Sequence, residues 1–132
     1  MTEKTDSAGN APEAFPEKRR EERYDVPAGC RQYIKLWVKS GDGFVPATLG
    51  NFSRNGILFE SPVSFSREER SACIIAISLL LSREISFGIS VRYCYAVKDS
   101  YITGAAIDTI SDENWFDAFV EIHDLIAAQG SG

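Results

Sequence analysis

Four of the seven residues from Glu17 to Arg23 are lysine or arginine. Three carboxylates in the same segment reduce its net charge to +1, and such a charge run is usually a solvated linker. If the segment were helical, Arg19 and Arg23 would lie one turn apart on one face, where like charges repel by about 0.2–0.5 kcal/mol. An anion bound between the two guanidinium groups would turn that repulsion into attraction.

A second polar cluster, from Asn51 to Gly56, lies between two apolar runs. Asn-Gly is among the strongest turn dipeptides, and the side chains of Ser53 and Asn51 can bond nearby backbone, so a plain turn explains most of the cluster. An amide, a hydroxyl and a glycine close together can also bind a polar ligand at the backbone. The sequence leaves both interpretations open.

Length and charge exclude several classes of protein. A chain of 132 residues is about one domain, and its net charge of −5 does not provide the basic field that non-specific nucleic-acid binding needs. The longest dense apolar segment, from Ala72 to Leu81, is far shorter than the roughly 18–20 residues that span a bilayer. We therefore expect a cytoplasmic protein that neither binds nucleic acid nor inserts into a membrane.

The residues for catalysis or metal binding are few. His123 is the only histidine, no glycine-rich phosphate loop is present, and the three cysteines include no CxxC pair. We expect no enzyme activity, no metal site, no cofactor and idle or buried thiols.

From Arg31 onward apolar residues recur at alternate positions, the period of strands with one face in a core. The run from Ile85 to Val97 alternates without a gap, which predicts one long strand. A polar break at 51–55 separates two shorter ones. The six predicted strands hold Tyr33–Lys39, Val45–Leu49, Gly56–Glu60, Ala72–Leu81 (for which a short buried helix also fits), Ile85–Val97 and Ser100–Thr109.

The period then changes to that of a helix. Ser111 can cap its start, and Asp112 suits its positive end. The apolar stripe of this helix consists of Trp115, Phe119, Ile122 and Ile126. Strands followed by one amphipathic helix indicate a small, mostly β barrel with the helix packed on it or plugging one end.

Together the two polar clusters resemble the PilZ domain family, whose signatures are RxxxR ahead of a barrel and (D/N)xSxxG at the junction of its second and third strands. Arg19 and Arg23 match the first signature, and Asn51, Ser53 and Gly56 match the second. The resemblance covers about residues 17–128 and includes Gly104 and the closing helix. It implies a six-stranded antiparallel PilZ-like β-barrel with a C-terminal α-helix.

PilZ domains are receptors for cyclic di-GMP, a bacterial second messenger, and the resemblance implies this ligand here. Arg19 and Arg23 would clamp its guanine and phosphate groups, since a guanidinium can bond guanine O6 and N7 together or grip a phosphate. Asn51 and Ser53 would contact a guanine edge, and Gly56 would let the backbone turn and approach closely.

Four further residues are weaker ligand candidates. Lys18 stands where many relatives that bind an intercalated ligand pair have another arginine, and a lysine cannot repeat its bidentate and stacked contacts. Arg20 and Arg54 are nearby cations that we interpret first as solvated side chains and second as ligand contacts, and Gly104 marks a bend or a close backbone approach.

The predicted organisation is a flexible N-terminal tail over 1–16, a single PilZ domain over 17–129 and a short C-terminal tail over 130–132. The leading function is a cyclic di-GMP receptor and adaptor, in which the ligand folds the N-terminal segment onto the barrel and changes contacts with a downstream protein partner. The alternative is a PilZ-like interaction adaptor that no longer binds nucleotide. A third hypothesis, a barrel for single-stranded nucleic acid, would use Tyr33, Trp37, Tyr93 or Tyr95 as stacking platforms, but these lack an accompanying run of cations.

Overall fold

The structure is a computed structural model, and it describes residues 22–78 and 82–130. Seven strands lie within these residues and belong to one sheet. The strands are β1 (Arg23–Asp25), β2 (Ile34–Ser40), β3 (Gly43–Ser53), β4 (Gly56–Ser61), β5 (Arg70–Ser78), β6 (Ser82–Val97) and β7 (Ser100–Ile107). The helices are two 3₁₀ turns, Ala28–Tyr33 and Thr109–Ser111, and one α-helix, α1 (Asp112–Gly130).

Six of these strands close into a barrel. Their order is β3-β2-β5-β6-β7-β4, and β4 pairs again with β3, so that the sheet returns on itself. Every pairing is antiparallel, and closure removes the exposed edges on which other chains could pair. β1 is an extra strand that pairs with the end of β3. The predicted six-stranded antiparallel barrel with a C-terminal helix is therefore confirmed.

One face of each barrel strand forms the core, as the alternation predicts. The helix adds Trp115, Ala118, Ile122 and Leu125, while Phe119 and Ile126 are partly buried at its edge. The largest fully buried strand residues are Leu36, Val38, Phe52, Ile57, Phe59, Ile75, Ile89 and Val91. α1 packs mainly against β6. Of the helices in the described part of the chain, none combines the length and apolarity needed to cross a membrane.

The run from 72 to 81 is a strand as far as residue 78, and residues 79–81 lie outside the described ranges. The predicted polar break at 51–55 is wrong in its first half, because β3 continues through Ser53. The reason is long-range pairing that local polarity does not reveal: Arg23 lies opposite Ser53, and Asp25 lies opposite Asn51. The break is only the two-residue turn between β3 and β4.

The unbroken alternation predicted for the longest strand is also interrupted. β6 has a register shift between Val91 and Tyr93, so that Arg92 is an extra residue relative to β7. A β-bulge of this kind moves the following side chains to the other face of the strand. Val91 is fully buried, whereas Tyr93 and Tyr95 are 47% and 51% exposed.

Ser111 does not cap α1 in the predicted way. It is the last residue of a 3₁₀ turn, and its hydroxyl accepts a hydrogen bond from the Gly88 N–H at 2.7 Å. Asp108 begins that turn instead, since its carboxylate accepts from the Ile110 N–H at 3.1 Å. The start of the helix is thus tied to β6.

Candidate functional site

Arg23, Asn51 and Ser53 meet at the junction of β1 and β3. The Nε and Nη2 atoms of Arg23 both donate to Asn51 Oδ1, at 3.0 and 2.9 Å. Arg23 Nη1 lies 3.5 Å from Ser53 Oγ. Residues from two sequence clusters thus form one polar surface, which presents a guanidinium, an amide and a hydroxyl together. Such a surface suits an anionic ligand with hydrogen-bonding edges.

Ser53 begins the motif turn, by which we mean Ser53, Arg54, Asn55 and Gly56. Its hydroxyl is fully buried, accepts from the Asn55 N–H at 3.3 Å and lies 3.5 Å from the Gly56 carbonyl oxygen, to which it donates. These bonds are typical of serine in a turn. The geometry therefore makes Ser53 a positioning residue for the turn, and its contact with a guanine edge stays a prediction.

Position 56 must be glycine because the structure leaves no space there for a side chain. It lies opposite Ala106 on β7, and a Cβ added to it would stand 2.9 Å from the Ala105 carbonyl oxygen. That oxygen belongs to the backbone of a paired strand, so moving it costs free energy of unfolding. The predicted close backbone approach is therefore present, and the neighbour is β7.

Gly56→Ala is expected to lower the free energy of unfolding by about 1–3 kcal/mol, because the added methyl group forces two paired strands apart. Urea denaturation followed by circular dichroism measures the loss. Gly43→Ala is the matched control, since a Cβ at Gly43 has no heavy atom within 4 Å. Equal losses in the two variants would contradict the close-approach explanation.

Trp115 holds the motif turn from the helix side. It is fully buried, and its indole Nε1 donates to the carbonyl oxygens of Ser53 at 3.2 Å and Arg54 at 3.0 Å. A buried indole N–H needs such a partner. On the opposite side, the Asn55 carbonyl oxygen accepts from the Ile107 N–H at 2.9 Å. The sequence placed Trp115 on the apolar stripe but did not show this role.

Arg54 is bound to the helix. Its Nη1 and Nη2 donate to Asp112 Oδ1 and Oδ2, at 2.9 and 3.0 Å, and its guanidinium lies 4.5 Å from the centre of the Phe116 ring. The interpretation of Arg54 as a solvated cation is therefore wrong, because the helix start supplies a planar carboxylate for its fork. The motif turn and α1 are linked through this pair.

The Arg54–Asp112 pair predicts a pH dependence of stability. The hydrogen bond from Arg54 lowers the pKa of Asp112, and the positive charge of Arg54 lowers it further. Partial burial of the carboxylate raises the pKa, but this effect is smaller than that of the hydrogen bond. A lowered pKa means that the ion pair stabilises the fold above about pH 4, the usual pKa of aspartate, and that this contribution disappears as the pH falls through the lowered value.

We expect Asp112→Asn to lower the urea midpoint at pH 7, and the difference from the unmodified chain to narrow as the pH falls below about 4. Glu113→Gln is the control, because Glu113 lies in the same first helical turn but forms no ion pair in the described residues. A difference that stays constant with pH would contradict the role of the pair.

β1 also packs on α1. The Tyr24 ring centre lies 5.9 Å from that of Phe119 and 5.0 Å from that of His123, both nearly edge to face. Burial, followed by a hydrogen bond with Glu22, raises the pKa of Tyr24. The strand that carries Arg23 is therefore anchored on both β3 and the helix.

Gly104 faces a side chain and not an open surface. It pairs with Tyr93 across the β6 bulge and with Leu58 on β4, and a Cβ added to it would lie 2.3 Å from the Tyr93 ring. The predicted close approach at Gly104 is thus made by an aromatic ring. A contact between Gly104 and the ligand stays a prediction.

Lys18, Arg19 and Arg20 lie outside the described residues, as does the proposed tail at 1–16. Of the proposed C-terminal tail at 130–132, residues 131–132 also lie outside them, whereas Gly130 is the last residue of α1. Their roles and the domain boundaries remain predictions. Of the RxxxR signature, the structure therefore places Arg23 alone beside the second motif.

The three cysteines form no disulfide. Cys30 and Cys73 are buried and Cys94 is half-buried, and all three are free. Burial raises the pKa of the Cys73 thiol far above its ordinary value, which keeps it protonated. Residues 22–78 and 82–130 contain no group of three or more side chains that could hold a metal ion.

Comparison of the sequence with known protein families gives a match over most of the chain. The family profile described as the PilZ domain matches residues 17–122. The chain belongs to the PilZ family. No curated protein sequence matches this PilZ domain.

Solved structures share the fold of this PilZ domain. The Bacillus subtilis inhibitor of motility (MotI/DgrA) has 17% identity and a TM-score of 0.62, and the match covers 86% of this chain and 52% of that one. The Klebsiella pneumoniae MrkH–c-di-GMP complex has 12% identity and a TM-score of 0.62, covering 85% and 55%. The Borreliella burgdorferi PlzA protein in complex with c-di-GMP has 15% identity and a TM-score of 0.54, covering 85% and 43%. This PilZ domain thus spans about half the length of the structures it resembles.

Proposed function

We propose that this PilZ domain is a non-enzymatic receptor for cyclic di-GMP that acts as an adaptor. The observation that carries the proposal is the contact of Arg23 with Asn51 and Ser53, which unites residues about thirty positions apart into one polar surface. Two of the structures with the same fold are complexes with c-di-GMP. Family membership supports a binding role and not catalysis.

Each residue of the surface has a role that follows from its chemistry. Arg23 offers a planar fork that can bond guanine O6 and N7 or a phosphate, and its face can stack on a base. Asn51 orients that fork through two hydrogen bonds to one oxygen, and its amide can in addition bond a guanine edge. Ser53 and Gly56 hold the motif turn in place, as their buried contacts indicate.

The N-terminal segment completes the proposed site. By the family signature, Arg19 joins Arg23 on the ligand, and ligand binding folds the segment before β1 onto the barrel. This ordering changes the surface that a downstream protein partner contacts. The supporting observation is that β1 is packed on both β3 and α1, so that a change at Arg23 reaches the helix surface.

Hydrogen exchange tests this coupling. Amide exchange of residues 10–30 is expected to slow on saturation with cyclic di-GMP, because the segment becomes ordered against the ligand. Mass spectrometry of peptic fragments measures it, and the β2–β3 hairpin at 40–43 serves as the internal control. Unchanged exchange over 10–30 at saturation would contradict the coupling while leaving ligand binding intact.

Calorimetric titration tests receptor function itself. We expect the purified chain to bind cyclic di-GMP at micromolar or lower concentration and not to bind GTP. Arg19→Ala is expected to weaken binding, whereas Lys35→Ala, a loss of one exposed cation on β2, leaves it unchanged. The absence of heat and of competition at high ligand concentration would favour the alternative, a PilZ interaction adaptor that works through protein partners alone.

A further inference from the structure

The outer face of α1 combines exposed apolar side chains with carboxylates. Phe116 and Val120 lie one helical turn apart and are 43% and 38% exposed. The helix contains five carboxylates and no lysine or arginine. Three of them stand three or four positions from an exposed apolar residue or from each other, the spacing of neighbours on one helix face. We call this surface the helix patch, and its residues are Glu113, Phe116, Asp117, Val120 and Asp124.

The negative charge of the helix patch is only partly neutralised within the chain. One arginine, Arg83, serves both Asp117 and Glu121. Asp124 pairs with His123, which is positive only when it is protonated. The helix patch therefore presents apolar side chains within a negative field.

A second exposed apolar surface lies on the outer face of β2, β3 and β5. Trp37 is half-buried there, opposite Pro46 on β3 and Ile74 on β5. Phe44 is 44% exposed and lies opposite Lys39. One lysine lies two positions before Trp37 and another two positions after it, so that both share its face of the strand. We call this surface the barrel patch, and its residues are Lys35, Trp37, Lys39, Phe44, Pro46 and Ile74.

The barrel patch has the composition of a protein interface. Large apolar side chains lie at its centre and cations at its rim, and tryptophan is among the residues that contribute most to binding between proteins. The barrel core does not need these side chains, because Leu36 and Val38 fill it from the other face of β2. The barrel patch is therefore a surface for a partner that offers apolar groups and negative charge.

The helix patch has that chemistry. It offers a phenylalanine and a valine for the apolar centre of the barrel patch, and carboxylates for its two lysines. Complementary charge of this kind sets the register of a contact and disfavours other partners. Both patches point away from the core of their own chain, so that they can meet only between two chains.

We propose that this protein associates head to tail, with the helix patch of one chain on the barrel patch of the next. Phe116 and Val120 pack on Trp37, and the lysines of the barrel patch face the carboxylates of the helix patch. Such a contact joins two different surfaces, so that assembly continues from chain to chain unless it closes into a ring. Neither patch includes Arg23 or Asn51, so this association goes beyond ligand binding.

Analytical ultracentrifugation of the full chain without ligand tests the proposal. We expect the mean mass to rise with concentration between about 10 μM and about 1 mM, where weak protein contacts form. Lys39→Glu sets a negative charge against the helix patch, and Val120→Lys sets a positive charge against the barrel patch. Each is expected to weaken association about tenfold or more, because like charges then meet in the contact. Both positions are exposed, and far-UV circular dichroism verifies that the variants are folded.

Arg92→Glu is the matched control, because it makes the same charge change as Lys39→Glu at an exposed position of β6. Ser86 lies opposite Ile74 of the barrel patch, and Arg92 is six residues further along the strand, about 20 Å away. We expect Arg92→Glu to associate as the unmodified chain does. An equal loss in this variant would show an effect of net charge alone and would overturn the proposal.

An equimolar mixture of Lys39→Glu and Val120→Lys distinguishes a head-to-tail contact from a symmetric one. The first variant keeps an intact helix patch and the second an intact barrel patch, so that the mixture is expected to regain association that neither variant shows alone. If only one of the two variants loses association, one surface pairs with its own copy, and the head-to-tail contact is overturned. A mixture that stays at the mass of one chain, or an unmodified chain that is monomeric at the highest concentration, would also overturn it.

Discussion

Replacing Trp115 with alanine is expected to lower the free energy of unfolding by about 3–5 kcal/mol, the usual cost of removing a fully buried tryptophan. The loss has two parts. A cavity opens between α1 and the barrel, where the indole contacts Phe87 and Phe52 with ring centres 4.9 and 6.4 Å away. The carbonyl oxygens of Ser53 and Arg54 also lose their shared indole donor. Since domains of this kind are stable by only about 5–15 kcal/mol, a large part of the stability disappears.

Trp37→Ala is the matched control for this prediction, because Trp37 is the other tryptophan and lies half-buried on β2. We expect a loss near 1 kcal/mol, the average for a substitution outside the core. Urea denaturation followed by far-UV circular dichroism measures both variants. Similar losses at the two positions would contradict the role of Trp115 as the link between helix and barrel.

Trp115→Phe separates packing from hydrogen bonding. It keeps much of the buried apolar volume but has no N–H group to donate to the motif turn. We expect this variant to remain folded and to bind cyclic di-GMP more weakly, because the Ser53–Gly56 turn is no longer held in place. Unchanged affinity would show that the turn is fixed by β-pairing alone.

Arg23→Ala is expected to weaken cyclic di-GMP binding by about ten- to a hundredfold, which corresponds to the roughly 1–3 kcal/mol of one bidentate arginine contact. The physical reason is the pre-oriented fork: Asn51 Oδ1 accepts from Nε and Nη2 together and so fixes the plane of the guanidinium. A fixed plane loses less side-chain entropy when the ligand binds.

Arg23→Lys sharpens that experiment, because lysine keeps the charge but has neither the fork nor the flat face. We expect it to bind nearly as weakly as Arg23→Ala. Arg31→Ala, which removes an exposed arginine away from the motif turn, is expected to retain the affinity. If Arg23→Lys bound as tightly as the unmodified chain, charge alone would explain binding, and the bidentate role would be wrong.

Much of the barrel is predictable because its signal is local. Alternation places Leu36 and Val38 inside, the turn at Gly41–Gly43 follows from glycine, and the helical period appears where α1 begins. These features depend on neighbouring residues in the chain. The resemblance of two short motifs to a family then indicated how the strands close.

The parts that sequence analysis missed depend on long-range contacts. The pairing of β1 with β3 joins Arg23 to Ser53 across 30 positions, and the Arg54–Asp112 pair spans 58. A one-residue bulge at Arg92 leaves the apolar pattern intact while moving Tyr93 from the expected core face to the surface. The motif could therefore be predicted, but not the helix contacts that support it.

Two-dimensional ¹H–¹⁵N NMR titration of the isotopically labelled chain with cyclic di-GMP tests the central claim most directly, since it reports binding and its location together. We predict saturable shifts of the amide signals of Asn51, Ser53 and Gly56, together with Arg23 on β1, while Gly41 and Gly43 in the β2–β3 hairpin stay in place. Saturable shifts confined to residues away from the motif turn, or no shifts at millimolar ligand, would contradict the account.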